Sequence, residues 1–162
     1  MINESGWVTQ SGQLGTGASY VPQAGDFNND AVVRGFLSFD LMGIPANAVV
    51  QSAALALPDP TLLGEPFPSF GSLKFEALWY GLSLGPAAYD TPGYMTLQNA
   101  YGTPGSLIGV TAAIEEALAR GYRRFQIRFG FSLGTDRDRS ADEYIIRANQ
   151  EEPVLEVFYG LP

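Results

Sequence analysis

The chain has no cysteine and no histidine, and only one of its nine basic residues, Lys74, is a lysine. Without cysteine there is no disulfide framework and no thiolate. Without either residue type the usual nucleophile triads and the common zinc sites are excluded, leaving carboxylates, hydroxyls and one amine for any chemistry. Lys74 alternates onto the polar face of a strand, an ordinary exposed position. No apolar run is long enough to span a membrane. The opening "MINESGWVTQSGQ" has neither a basic flank nor an apolar stretch, and reads as neither signal peptide nor anchor. Either the chain is made and kept inside a cell or it starts after a removed leader, and Met1 in front favours the first. Excess positive charge is missing too: the net charge is −8, which argues against a phosphate-binding surface and hence against nucleic acid as a partner. The one glycine-rich stretch, "GQLGTG", lacks the lysine and the strand–helix setting of a phosphate loop.

What is present points to β structure. The 162 residues include 19 glycines and 11 prolines, which punctuate the chain about every ten positions, and 46% of the residues are hydrophobic. That is the spacing of short strands joined by turns around one core, and a single domain over residues 1–162 follows. Two-residue alternation sets Val33, Leu37, Phe39 and Leu41 against Arg34, Ser38 and Asp40. It recurs as Val49, Ala53, Leu55 and Leu57, and as Leu73, Phe75, Ala77 and Trp79 against Lys74, Glu76 and Tyr80. It is clearest as Phe125, Ile127, Phe129, Phe131 and Leu133 against Arg124, Gln126, Arg128 and Ser132. In the final run, "PVLEVFY", Leu155 and Val157 face inward. One stretch, "VTAAIEEALARG", has helical spacing instead. It predicts a short helix over about 111–120, with Thr111 as its cap and Gly121 in the left-handed closing position. Residues 1–25 read as an edge strand and an extended arm, and residues 26–160 as the sandwich. Two long loops, "PDPTLLGEPFPSFG" and "GLSLGPAAYDTPGYMTLQNAYGTPG", are expected to carry function or interfaces. Seven or more short antiparallel strands with one helix in a connection predict an all-β jelly-roll sandwich.

Candidate sites are few. Asp26, Asn28 and Asp30 offer alternating oxygen donors of the kind calcium takes, but Ala31 and Leu37 stand where an EF-hand requires Gly and Glu. A turn that launches the following strand explains the same residues better, because Asn and Asp hydrogen-bond their own backbone. In "GTDRDRSADE", Asp136, Asp138, Asp142 and Glu143 contain carboxylate pairs of the kind that cleave glycosides, yet the interleaved Arg137 and Arg139 favour a self-paired, solvated loop. Arg34 and Asp40 are expected to form a structural ion pair. Trp7 and Tyr20 on the arm, and Tyr89, Tyr94 and Tyr101 on the long loop, are candidates for an interface with protein or for stacking on a sugar, with fastening of the loop as the plainer alternative.

The run "RGFLSFDLMGIPANAVVQSAALAL", through Arg34, Phe39, Asp40, Ile44, Pro45, Val49, Ala53 and Leu55, resembles the DNRLRE-type β-sandwich domains, which are similar to carbohydrate-binding modules. "IGVTAAIEEAL" and "EEPVLEVFY" are similar to the helix turn and closing strand of that family, so the likeness covers residues 24 to 160. As a free-standing sandwich with an arm and long loops, the chain also resembles the decoration proteins of tailed bacteriophages, including those of thermophilic hosts. Richness in Leu, Gly, Ala and Pro with a single lysine suits a heat-adapted source. The resemblance implies a non-catalytic protein that self-associates, as a homotrimer, on a major capsid protein lattice at the virion surface. The alternative it implies is an extracellular carbohydrate-binding module that meets a polysaccharide through the loop tyrosines and Trp79.

Overall fold

A computed structural model describes residues 4–19, 21–97 and 107–162. In chain order the strands are β1 (Gly6–Thr9), β2 (Leu14–Thr16), β3 (Gln23–Asp26), β4 (Val32–Asp40), β5 (Val49–Ala56), β6 (Thr61–Leu63), β7 (Leu73–Leu78), β8 (Met95–Thr96), β9 (Leu107–Gly109), β10 (Arg124–Phe131), β11 (Asp142–Ile145) and β12 (Val154–Gly160). Helix α1 (Pro66–Phe70) lies between β6 and β7, and α2 (Thr111–Ala119) between β9 and β10. All pairings are antiparallel, and the expected two-sheet sandwich is present, divided unequally. Nine strands form one sheet, with the path β6-β11-β3-β4-β10-β7-β8 and the β1–β2 hairpin attached to β4; the other sheet has three strands in the order β12-β5-β9.

Strand β4 organises the large sheet. Gly35 pairs with Trp7 of β1 and with Phe129 of β10, and Val33 pairs with Thr9 of β1 and with Gly25 of β3. β1 therefore lies along one edge of β4, while β3 and β10 share the other. Glycine is needed at position 35 because a Cβ there would lie 2.1 Å from the Phe129 ring.

The face of β4, β7 and β10 that bears Leu37, Phe75, Ala77, Phe125, Ile127 and Phe129 packs against Val50, Ala53 and Leu55 of β5 and against Ala113, Ile114 and Ala117 of α2. Phe75 and Phe129 stack at 5.4 Å, and Tyr144 meets Phe129 edge-on. Each fully buried aromatic of this kind contributes about 1.5–3 kcal/mol by removal from water.

Several local expectations are met and others corrected. α2 occupies the helical stretch, and Gly121 closes it at φ 73°. Thr111 does not cap it: its hydroxyl accepts the Ala53 backbone N–H at 2.9 Å, tying the helix start to β5. Val50, not Val49, faces the core. Register passes from Ser52↔Phe158 to Val50↔Tyr159, so Gln51 is an extra residue in β5, and this bulge reverses the alternation beyond it. Leu133 is exposed because β10 ends at Phe131. The segment expected to extend as an arm is instead largely built into the sheet, as the β1–β2 hairpin and β3. The loop "PDPTLLGEPFPSFG" contains β6 and α1, whose Phe70 is fully buried.

The second face of the large sheet carries the polar set of the alternation, yet the structure covers much of it. Leu84, Ala88 and Tyr89, from the segment after β7, cover Val8, Phe36 and Leu78. Gln126 is fully buried, and Arg128 and Ser38 are buried beside it. Charged and amide groups hidden in this way need partners. Arg128 donates to the carbonyl oxygens of Ala88, Tyr89 and Thr91 at 3.2, 3.0 and 2.6 Å and to Glu76 at 3.3 Å. Gln126 donates to the Gly81 carbonyl at 2.7 Å and accepts the Tyr80 N–H at 3.0 Å. Glu4 accepts from the Ser38 hydroxyl at 2.6 Å and pairs with Arg124 at 3.0 Å. Asp40 pairs with Arg124 as well, and not with Arg34, whose guanidinium donates to the Tyr89 carbonyl and lies 4.2 Å over the Tyr89 ring.

Candidate functional site

Two acidic stretches far apart in sequence meet at one corner, because β3 and β11 pair with Asp26 opposite Asp142. Asp26 is fully buried; it accepts the Thr135 hydroxyl at 2.6 Å and the Asp142 N–H at 3.3 Å. Burial pushes its pKa above the ordinary carboxylate value, against those two hydrogen bonds, and the charges of Asp136 and Asp142 push it further. Burial likewise raises Glu143 to about 6, with the Asp26 charge adding to the effect.

The calcium candidates differ in setting, Asp26 being fully buried. Asn28 is exposed, and Asp30, at φ 62°, accepts the Arg139 N–H at 2.9 Å. Asn29 accepts the Ala31 N–H, which is the turn bonding expected of this stretch. The carboxylates that do come together are those of Asp136, Asp138 and Asp142, with one oxygen from each within 4.8 Å of the others. These are the residues that would hold a hard cation.

The same loop also satisfies itself. Asp136 accepts the Asp138 N–H, Asp138 accepts the Ser140 N–H, and Asp142 accepts the Glu65 N–H. Arg137 and Arg139, both at φ 62°, form no ion pair among the described residues, so backbone turns and not charge pairs hold the loop.

The aromatic candidates are dispersed. Trp7 is half-buried, edge-on to Phe27 at 5.0 Å and packed over Gly15. Tyr89 is buried under Arg34 and fastens its loop to the sheet. Tyr94 is half-buried beneath Arg120, 5.0 Å from its ring; its hydroxyl is buried with no hydrogen-bond partner among the described residues, and burial raises its pKa. Trp79 stacks on Tyr122 at 4.7 Å with ring planes 5° apart, and Tyr94 leans on Tyr122 at 6.0 Å. These three rings chiefly meet one another. Tyr20 and Tyr101 lie outside the described residues. A cavity of about 340 Å³ opens beside Phe39, between Ser38, Asp40, Pro22 and Asn149.

Sequence reasoning missed the outer face of the three-stranded sheet. Register places Val154, Ala56 and Leu107 in one cross-strand row and Glu156, Ala54 and Gly109 in the next. Leu107 is 70% exposed, and Val154 and Phe158 are each 55% exposed. Among the described residues nothing covers them. The available signal was chemical: the outward positions of β5 hold Ser52, Ala54 and Ala56, where a solvated strand carries charges. No protein-family model and no curated protein matches this chain.

Proposed function

We propose that this protein is a non-catalytic assembly module that docks through the outer face of its three-stranded sheet, onto copies of itself and onto a larger protein surface. The observation that supports this is the exposed apolar row Val154, Ala56 and Leu107, with exposed Phe158 two rows further along the same face, beyond Glu156. Exposed large apolar side chains gathered on one sheet face mark interaction sites in soluble proteins. The nine-stranded sheet, buried on both faces over β4 and β10, supplies a rigid block behind it. The likeness to phage decoration proteins suggests the larger surface, a capsid lattice. A module that binds only the folded, assembled shell stabilises it by mass action.

The test is molar mass by light scattering across a range of concentrations. Masses above that of the 17.4 kDa chain, lowered by Leu107→Glu with the fold intact by circular dichroism, are expected. A monomer at every concentration would remove self-association from this reading.

A further inference from the structure

We infer that the free edge of β12 pairs with β12 of a second copy, antiparallel about a two-fold axis at Val157, joining two three-stranded sheets into one of six strands. This rests on the assembly reading and specifies its partner.

The first argument is edge length. Among the described residues the other edge strands are short: β2, β6 and β9 have three residues each and β8 has two. β12 has seven, pairs only with β5, and contains no proline or lysine to block a further strand. Such an edge presents a row of backbone donors and acceptors that another strand satisfies.

The second argument is charge. Of the 9 basic and 17 acidic residues, Glu156 is the only one on β5, β9 or β12. A chain of net charge −8 repels its own copies, and repels them least where charge is nearly absent.

The third argument is incomplete burial. Leu155 and Val157 point into the sandwich yet remain partly exposed, and Tyr159 is 39% exposed. The open side of β12 leaves them so, and a neighbouring strand would cover them.

These facts also select the register. Pairing about Val157 engages all seven residues and sets Glu156 opposite Phe158 of the second copy, Leu155 opposite its Tyr159 and Val154 opposite its Gly160. Pairing about Glu156 would oppose two carboxylates directly, which is unfavourable.

The absence of native cysteine allows a clean test. Glu156→Cys and Phe158→Cys are made as separate proteins, since both positions are exposed. Opposed cross-strand Cβ atoms lie about 4.5–5.5 Å apart, close enough for a disulfide under mild oxidation. The mixture is expected to give a cross-linked heterodimer, and each protein alone none. Wild-type β12 amides should also become more protected from hydrogen exchange as concentration rises. Self-cross-linking of either variant overturns the register. Association by light scattering with no cross-link in the mixture and no added β12 protection overturns edge pairing while leaving face docking standing. A monomer at every concentration overturns both.

Discussion

In β10 every residue from Phe125 to Phe129 is buried, whereas in β12 none is. Both strands alternate in the same two-residue rhythm, so alternation alone does not decide exposure. What differs is the cover. β10 lies between β4 and β7, with α2 and β5 over one face and the segment bearing Leu84, Ala88 and Tyr89 over the other. β12 lies at the rim of a small sheet whose outer face is bare. The doubly covered strand provides stability, and the one left uncovered by the described residues is the surface proposed above for contact.

The sharpest way to break this comparison is to truncate a phenylalanine in each strand. Phe129→Ala should cost about 3–5 kcal/mol, since Phe129 is fully buried against Phe75 and Tyr144. In thermal denaturation that is a fall in Tm of roughly 6–20 °C for a chain of this size. Phe158→Ala, at a site 55% exposed, should change stability by no more than about 0.5 kcal/mol while weakening association. Equal effects at the two sites would dissolve the distinction.

Next in size is Arg128→Met, expected to cost about 3 kcal/mol, because the carbonyls of Ala88, Tyr89 and Thr91 and the Glu76 carboxylate lose their shared donor. Limited proteolysis should then cut within residues 84–92 first. A variant as resistant as the wild type would show that the covering segment is held by its apolar contacts alone.

A smaller effect comes from pH. Glu143 titrates at about 6 in the folded chain against 4.5 ordinarily, so the folded state binds its proton more tightly than the unfolded state. Its penalty is absent below about 4.5, grows through the interval to about 6, and is complete above it. Glu143→Gln should therefore raise Tm relative to the wild type at pH 7.5 and lose most of that advantage at pH 4.5. A constant difference would place the cause elsewhere. The smallest effect belongs to the acidic loop. Adding calcium after exhaustive chelation should leave Tm unchanged, since Asp136, Asp138 and Asp142 already accept backbone N–H groups. A rise lost in Asp138→Asn would assign the loop to a cation.

The sequence made the long strands β4, β7 and β10 legible through their own alternation, and α2 through its four-residue spacing. It misled where the deciding partner is remote. The bulge at Gln51 turned Val49 outward, and the helix start uses Thr111 to bind β5 instead of its own N–H groups. Ser38, Gln126 and Arg128 look like solvent-facing residues until a segment some 40 residues away closes over them. The acidic corner illustrates the same limit. Asp26 and Asp142 were each visible, but only the β3–β11 pairing makes them neighbours.

The placement of β10 also shapes how the chain comes into being. Among the twelve strands and two helices of the described residues it is the twelfth in sequence, yet it separates β4 from β7, strands synthesised long before it. During translation those two have no lasting partner in each other and must wait, edges open, until residues beyond Phe131 clear the ribosome. Closure of the central sheet is thus a late insertion, and pairing across such sequence distance is slow. A nascent chain stalled before Arg124 would expose β4 and β7 to other strands, so the cell's hold on this protein is most needed in the moments before its last quarter is made.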